Sequence, residues 1–216
     1  MRIGKAFGRL LFPADIQCAV CSGEQGMGQG SCICEACQKK LPFDEQAHSC
    51  FGLSYGAAFV YRAPVSDLIR GLKYHNRRYL APELGRHMAN RARELGLKAD
   101  AVIPVPLHSG KLKARGYNQS ALLAREIAEN LGLPYCDGIL RLKRTESQTG
   151  LDESLRMENV TEAFALKEAL PYKNILLVDD VITTGATLYH CAKVLKECHI
   201  TGLTAARAEL KADDLG

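Results

Sequence analysis

The sequence feature that most constrains the fold is an apolar strand pattern that ends in two aspartates and a threonine-rich turn. Residues 175–178 form the unbroken apolar run Ile-Leu-Leu-Val, and Asp179 and Asp180 follow directly. A Thr-Thr-Gly-Ala-Thr segment then leads into helical spacing over residues 186–197. Continuous apolar strands are typical of parallel sheets covered on both faces, whose ligands bind at the carboxyl ends of the strands. The pattern therefore predicts an α/β fold with a ligand site after residue 178.

The threonine-rich turn has the composition of an anion cradle. Gly185 permits backbone angles that other residues avoid, so successive N–H groups can converge on one phosphate while the helix N-terminus adds its dipole. Carboxylates beside a phosphate site suit a ligand that also offers sugar hydroxyls and a metal, such as a ribose 5-phosphate. No Gly-Lys-Ser/Thr follows, which disfavours a nucleoside triphosphatase. The structural alternative makes Asp180 a turn residue and the threonines a helix cap.

From about residue 55 onward, strand and helix patterns alternate along the chain. Strands are predicted at residues 57–61, 101–105, 139–142 and 202–206, and helices at residues 65–73, 81–95 and 120–131. This alternation predicts a parallel sheet with flanking helices over residues 54–216. A chain of 216 residues can bury one sizeable core and carry a small appended module, which we assign, with an N-terminal leader, to residues 1–53.

The cysteines are concentrated in the N-terminal quarter of the chain. The pairs Cys18-x2-Cys21 and Cys34-x2-Cys37 are separated by twelve residues, a spacing that predicts a tetrahedral four-cysteine site with structural Zn²⁺. An iron centre is the alternative. The roles of Cys32, His48 and Cys50 stay open. An odd total of nine cysteines without an export signal indicates reduced thiols and a cytoplasmic location.

Charge and hydropathy set limits on the partners. The formal net charge of +4 is compatible with anionic ligands but does not require nucleic acid. Residues 1–13 interleave basic and apolar side chains, and we interpret them as an amphipathic leader packed on the protein, with membrane-surface binding as the alternative. No stretch approaches the roughly 20 apolar residues of a transmembrane segment.

Two motifs carry a resemblance to known families. The whole segment at residues 178–187 resembles the motif of type I phosphoribosyltransferases that binds phosphoribosyl pyrophosphate (PRPP). A second set of residues, together with the cysteine module, is similar to the ComF family, the phosphoribosyltransferase-like proteins associated with DNA uptake in competent bacteria. That set comprises residues 102–106, Lys113, residues 115–119, Arg141, Arg144, Thr145, Gln148, Leu151, Arg156, Asn159, Ala163 and Phe164.

The resemblance implies a type I phosphoribosyltransferase-like fold and a set of site residues. Asp179 and Asp180 are the catalytic candidates, which orient the ribose and bind Mg²⁺ together with PRPP. Arginines can grip phosphate oxygens with a fork of N–H groups. The predicted contacts to PRPP and its phosphates are Thr183, Thr184, Gly185, Ala186, Thr187, Val105, Arg115, Arg144 and Arg156.

Three functions are compatible with these residues. The first is an enzyme that transfers a phosphoribosyl group and releases pyrophosphate, although neither a general base nor a nucleobase site is evident. The second is a protein that binds single-stranded DNA through Arg77, Arg78 and Lys113 and keeps the PRPP site as a sensor or remnant. A solvated basic face is the structural alternative for these cations. The third is a scaffold that docks a helicase or channel component of DNA uptake. The acceptor substrate and the oligomeric state are not indicated by the sequence.

Overall fold

The structure is a computed structural model, and it describes residues 17–24, 30–142 and 163–209. The leader at residues 1–13 and the predicted phosphate ligands Arg144 and Arg156 lie outside the described residues.

The helices are α1 (Glu35–Gln38), α2 (Val65–Tyr74), α3 (Leu80–Glu94), α4 (Ser109–Arg115), α5 (Gln119–Leu131) and α6 (Ala186–Lys193). The strands are β1 (Ala47–Cys50), β2 (Leu53–Val60), β3 (Ala101–Pro104), β4 (Ile139–Arg141), β5 (Phe164–Leu166), β6 (Asn174–Ile182) and β7 (His199–Arg207).

A five-stranded sheet in the order β1-β2-β7-β6-β3 forms the centre of the molecule. The strands β2, β7, β6 and β3 are parallel, and β1 pairs antiparallel with β2 at one edge. Strands β4 and β5 form a separate antiparallel pair. The predicted fold class, a parallel α/β sheet with flanking helices after a four-cysteine module, is confirmed, and the antiparallel edge strand and the β4-β5 pair are additions to it.

Both faces of the sheet are buried, because successive side chains of β6 enter two different apolar clusters. Leu176 and Val178 pack in a cluster with α2, α3 and α5, whereas Ile175 and Leu177 pack with α6 and the β4-β5 pair. This arrangement explains why the β6 sequence is apolar without interruption. The cysteine module belongs to the first cluster, since Cys18, Cys34 and Cys37 lie in it with residues of α3.

Local sequence signals explain the bounds of the helices. In α2 the buried residues Val65, Leu68, Ile69 and Leu72 recur at the spacing of one helical face. Helix α5 begins after Asn118, whose side chain accepts a hydrogen bond from the Ser120 backbone N–H at 3.0 Å. Asn118 is therefore a helix cap, a role that its side chain suits chemically.

Some elements differ from the sequence-based predictions. Strand β6 does not end at residue 178 but continues through both aspartates to Ile182, because Asp179 and Val181 pair with Thr204 and Ala206 of β7. Helix α6 ends at Lys193, four residues earlier than predicted. The short elements α1, α4, β1 and β5 carry too few residues for a periodic pattern and were not predicted.

The β1-β2 hairpin lies across the predicted boundary between the two domains. Its two turn residues, Phe51 and Gly52, have φ angles of 50° and 76°, the left-handed conformation that a two-residue hairpin turn requires. The turn joins the end of the cysteine-rich segment to the first long strand of the sheet. The division at residue 53 stays a prediction.

Candidate functional site

The carboxylates of Asp179 and Asp180 are held by different partners. Asp179 Oδ1 accepts hydrogen bonds from the Ser120 hydroxyl at 2.9 Å and from the Asp180 backbone N–H at 2.8 Å. Asp180 is almost fully buried, and its Oδ1 lies 2.6 Å from the Lys73 ammonium. Its other oxygen, Oδ2, is buried and has no hydrogen-bond partner among the described residues. The pair therefore combines one satisfied and one incompletely satisfied carboxylate.

The electrostatic environment favours the protonated form of Asp179. Burial and the adjacent negative charge of Asp180 raise its pKa from 3.8 to about 7, and they outweigh the opposing effects of the Asp180 N–H, Ser120 and Lys73. A carboxyl group with this pKa changes its charge near neutral pH. Groups with strongly shifted pKa values are enriched at functional sites.

The predicted anion cradle follows these carboxylates directly. Thr183, Thr184 and Thr187 are exposed, and Gly185 is the left-handed residue that starts α6, with φ of 84°. A shallow cavity of about 30 Å³ lies at this turn. Its described lining consists of Asp179, Val181, Ile182, Thr183, Thr184, Gly185, Ala186, Thr187 and Leu188. The structure thus brings one carboxylate and all five predicted loop residues to a single surface.

The conformation at Gly185 is constrained from outside the loop by the β1-β2 hairpin. A Cβ atom at Gly185 would lie 2.4 Å from the Cys50 sulfur, so no side chain fits there without displacing the hairpin. The ring of Phe51 lies 5.1 Å from that of Tyr189 on the first turn of α6. Cys50 and Phe51 were not predicted as neighbours of the loop, because nothing in the sequence indicates which way the hairpin packs.

Val105 lies close to β6 but faces the interior. Its backbone N–H donates to the Val178 carbonyl at 2.8 Å, and its carbonyl accepts from the Asn118 side-chain amide at 2.9 Å. The Val105 side chain is buried in the same apolar cluster as α6. Any contribution of Val105 to ligand binding would therefore be through the shape of the loop that follows β3, and its role stays a prediction.

Arg115 lies in a basic groove beside the carboxylates. The groove has a volume of about 430 Å³, and its described lining contains three cations, two tyrosines and no acidic side chain. The residues are Lys73, Tyr74, Asn76, Lys111, Ala114, Arg115 and Tyr117. Since Lys73 also binds Asp180, the groove begins where the carboxylate site ends.

Contacts between cations and rings order this groove. The Arg115 guanidinium lies 5.3 Å from the centre of the Tyr74 ring, and that of Arg78 lies 4.3 Å from the Tyr117 ring. The Tyr117 hydroxyl donates to the Leu72 carbonyl at the end of α2, and Arg115 donates to Gln119. Tyr74 is 70% exposed, so most of its surface remains available to a ligand.

The predicted nucleic-acid contacts are distributed unevenly around the groove. Arg78 reaches it through the Tyr117 ring, whereas Arg77 and Lys113 are exposed and lie outside its described lining. Basic side chains are concentrated in three stretches of the sequence, around residues 70–78, 111–115 and 141–144. The first two of these stretches meet in the groove. Arg141 lies on β4, with its guanidinium 5.2 Å from the Phe164 ring.

Lys73 and Ser120 are the site residues that sequence reasoning missed. Ser120 follows the cap of α5, and Lys73 lies in the last turn of α2, where a lysine is common and carries no special signal. Their proximity to the aspartates arises only when α2 and α5 pack on the sheet.

The second candidate site is the cysteine cluster. The sulfur atoms of Cys18, Cys21, Cys34 and Cys37 all lie within 4.8 Å of one another, and those of Cys21 and Cys34 are 3.8 Å apart. A tetrahedral zinc ion with Zn–S bonds of about 2.3 Å requires sulfur atoms about 3.8 Å apart, so the cluster fits such an ion. The Cys18 sulfur accepts N–H groups of Val20 at 3.4 Å and of Cys34 at 3.3 Å.

The thiols of the cluster differ in their electrostatic environment, since burial and hydrogen bonds with the other cluster thiols raise the pKa of Cys37 to about 12. Burial acts to raise the pKa of Cys18, but backbone N–H groups, first that of Cys34, outweigh it and lower the pKa to about 6. Cys32 lies outside the cluster, and burial together with the charge of Glu83 raises its pKa to about 12. The four predicted ligands are therefore the ones that the structure brings together, while His48 contacts Asp44 instead.

Among the described residues, no helix combines the length and the apolar character needed to cross a membrane. All nine cysteines lie in the described parts of the chain, and none forms a disulfide.

The chain is similar in sequence to several known proteins. No family model matches the chain. It is 32% identical over 143 residues to the amidophosphoribosyltransferase of Staphylococcus aureus, a match that covers 64% of this chain and 25% of that protein. Among solved structures, the glutamine PRPP amidotransferase of B. subtilis superimposes with a TM-score of 0.39 and 21% identity over 56% of this chain and 25% of that one.

Two relatives match most of the chain. The DNA utilization protein YhgH of Salmonella typhi is 32% identical over 83% of this chain and 76% of its own length. Competence protein F of Haemophilus influenzae is 32% identical over 226 aligned residues, which cover 89% of this chain and 98% of that protein. A similarity that spans nearly the full length of both proteins extends beyond a shared phosphate loop. The chain belongs to the competence protein F family.

Proposed function

We propose that this protein binds PRPP together with Mg²⁺ at the end of β6. One observation carries the proposal: Asp179 and the turn at residues 183–185, whose threonines are exposed, line a single shallow cavity at the start of α6. A phosphate in the turn would place the attached ribose next to the carboxylates. The name of a relative that is 32% identical over 64% of this chain, amidophosphoribosyltransferase, points to the same ligand class.

Each group in the cavity, and Asp180 beside it, has a chemical task in this proposal. The hydroxyls of the threonines and the N–H groups at the start of α6 bind the 5-phosphate. Asp179 and Asp180 bind ribose hydroxyls and hold Mg²⁺, which neutralises charge on the pyrophosphate. Asp180 Oδ2, buried and without a described partner, fits this role because a hydroxyl or a cation would satisfy it. Arg144 and Arg156 stay predicted ligands of the PRPP phosphates.

The test of PRPP binding is a calorimetric titration at fixed Mg²⁺. We expect the double variant Asp179→Asn, Asp180→Asn to lose at least about tenfold in PRPP affinity while its circular dichroism stays that of the wild type. The variant Asp100→Asn is the matched control, because Asp100 bonds the backbone of Lys173 and Asn174 at the opposite end of β6. Equal PRPP affinity in all three proteins would refute the proposal.

The reaction that such a site supports is phosphoribosyl transfer. A nucleophile would attack the anomeric carbon, the bond from that carbon to the pyrophosphate oxygen would break, and the pyrophosphate would leave with the electron pair. Preorganised carboxylates stabilise the positive charge that develops on the ribose. Incubation with PRPP, Mg²⁺ and candidate nucleobases or single-stranded DNA tests this activity, with release of pyrophosphate as the measurement. Without release for any acceptor, the site would bind PRPP as a sensor.

A second candidate function is binding of single-stranded DNA in the basic groove. The observation that favours it is the combination of Lys111 and Arg115 with the exposed Tyr74 ring in one groove. Cations bind the phosphates of a strand and aromatic rings stack on its bases. The name of the Salmonella typhi relative, DNA utilization protein YhgH, agrees with this ligand class.

The groove and the phosphate cradle can be separated by experiment. Fluorescence anisotropy with a labelled oligonucleotide, at several salt concentrations, measures the affinity and the number of phosphate contacts. If the strand binds in the groove, Arg115→Gln should weaken it and Thr184→Ala should not. Loss of binding in the Thr184 variant, together with displacement by PRPP, would show that the strand occupies the cradle instead.

We further propose a structural metal, a cellular compartment and a docking partner for the protein. The cysteine cluster holds structural Zn²⁺ and supports the core that it shares with α3. Nine cysteines without a disulfide agree with a reducing cytoplasm. Docking of a DNA-uptake helicase or channel component stays a hypothesis that co-purification can test.

A further inference from the structure

Lys73 belongs to two adjacent sites. Its ammonium lies 2.6 Å from Asp180 Oδ1, and the same side chain lines the basic groove with Lys111 and Arg115. The Lys73 side chain is 19% exposed, and that of Asp180 is 5% exposed. The contact is therefore a largely buried ion pair whose cationic member faces a groove suited to a polyanion.

Each member of this ion pair can also bind a ligand of opposite charge, and that ligand competes with the ion pair. A phosphate in the groove attracts the Lys73 ammonium, whereas a cation at the carboxylates attracts Asp180. Removal of Lys73 alone would leave Asp180 as a buried charge without its counterion, which is strongly unfavourable. Lys73 therefore contributes little to the binding free energy of an anion in the groove as long as Asp180 has no other partner. Once a cation neutralises Asp180, this opposition disappears.

We propose that Asp180 withholds Lys73 from the groove until a cation binds at the carboxylate site, so that the two sites bind ligands of opposite charge cooperatively. The proposal rests on the proposed function in one respect, that the ligand of the groove is a single strand. Because binding free energies are reciprocal, a strand in the groove equally raises the affinity of the carboxylate site for a cation. The coupling needs no movement beyond the Lys73 side chain.

Neutralising Asp180 by mutation tests the coupling without PRPP or metal. Anisotropy titrations with a fluorescein-labelled oligothymidine at low salt and pH 8 measure how much Lys73→Gln weakens binding in three backgrounds: wild type, Asp180→Asn and Asp179→Asn. Lys111→Gln is the matched control. Lys111 lines the same groove, but the ion pair that Asp180 forms in the described part of the chain is with Lys73. Both substitutions remove one positive charge from the groove.

We expect Lys73→Gln to weaken binding less than twofold in the wild type and at least about tenfold in the Asp180→Asn background, so that the two effects differ by at least about fivefold, the lower end of typical coupling strengths. Lys111→Gln should have the same effect in both backgrounds. In the Asp179→Asn background the effect of Lys73→Gln should stay small, because Asp179 bonds Ser120 rather than Lys73. The Asp179→Asn background therefore distinguishes the release of Lys73 from the general effect of removing one negative charge beside the groove.

An equal effect of Lys73→Gln in the wild-type and Asp180→Asn backgrounds would overturn the proposal. Absence of oligonucleotide binding by both the wild type and the Asp180→Asn variant would overturn it as well. Urea unfolding of each variant checks that the fold survives, and the variant lacking both charges, Lys73→Gln with Asp180→Asn, leaves no buried ion without a partner. A separate PRPP titration of the wild type decides the PRPP site, so failure of that function and failure of the coupling give different results.

Discussion

Replacement of Asp179 by asparagine should stabilise the protein more at pH 8 than at pH 5. The Asp179 pKa is raised from 3.8 to about 7 by burial and by the charge of Asp180. Well below pH 3.8 the carboxyl is protonated in both the folded and the unfolded chain. As the pH rises from 4 to 7, the unfolded chain loses this proton first, so the folded state loses stability across that window. Asparagine keeps the shape of the side chain and does not titrate.

The size of the effect follows from the pKa. One pKa unit corresponds to about 1.4 kcal/mol, so a rise of about three units corresponds to at most about 4 kcal/mol above pH 7. Partial exposure of Asp179 to solvent reduces this, and we expect about 2–4 kcal/mol. Asparagine retains an oxygen that can accept the Ser120 hydroxyl, so loss of that hydrogen bond should not mask the gain.

Urea unfolding of the wild type and of Asp179→Asn gives the change in the free energy of unfolding at pH 5 and at pH 8. The difference between these two changes measures the electrostatic gain. Asp100→Asn is the control, since backbone N–H groups of Asn174 and Lys173 lower the Asp100 pKa and keep it ionised at both pH values. This control variant should lose the same stability at pH 5 as at pH 8. A gain for Asp179→Asn that is as large at pH 5 as at pH 8, or a loss at pH 8, would refute the electrostatic reasoning.

Three further predictions concern the loop, the metal and the groove. Gly185→Ala should lower the free energy of unfolding by about 2–4 kcal/mol, since it combines a strained backbone with a contact to Cys50; Gly132→Ala, left-handed but in open space, should cost only about 1 kcal/mol in the same urea assay. Native mass spectrometry should find about one zinc ion per chain and none in Cys34→Ser. Tyr74→Ala should weaken oligonucleotide binding at least about fivefold in anisotropy titrations, because a stacked base contributes about 1–3 kcal/mol.

The sequence predicted most of what depends on local pattern. The apolar run of β6 and the following Thr-Thr-Gly turn predicted the strand, the loop and the start of α6, because strand burial and glycine geometry are legible in a few consecutive residues. The spacing of the cysteine pairs predicted the four-cysteine cluster for the same reason. The predicted end of β6 at residue 178 was wrong, because pairing with β7 continues past the point where the apolar run stops.

Contacts between elements that are far apart in the sequence could not be predicted from local sequence patterns. Lys73 reaches Asp180 only because α2 packs on the same face of the sheet to which Asp180 points, and a lysine in a last helical turn is ordinary. Cys50 reaches Gly185 through the way the β1-β2 hairpin folds. The basic groove likewise exists because residues from α2 and α4 meet there, although the basic stretches themselves were visible in the sequence.

The balance of charge at the carboxylates indicates what kind of ligand completes them. Two adjacent aspartates face one described ammonium, that of Lys73, so the pair carries one more negative charge than its described ion pairs neutralise. The raised pKa of Asp179 and the unpartnered Oδ2 of Asp180 are two expressions of that excess. A proton relieves it at low pH, and a divalent cation with ribose hydroxyls would relieve it at neutral pH. If Asp179 must be ionised to hold such a ligand, the affinity for PRPP and Mg²⁺ should fall about tenfold for each pH unit below 7. A calorimetric PRPP affinity that is constant between pH 5 and 8 would exclude Asp179 as a ligand.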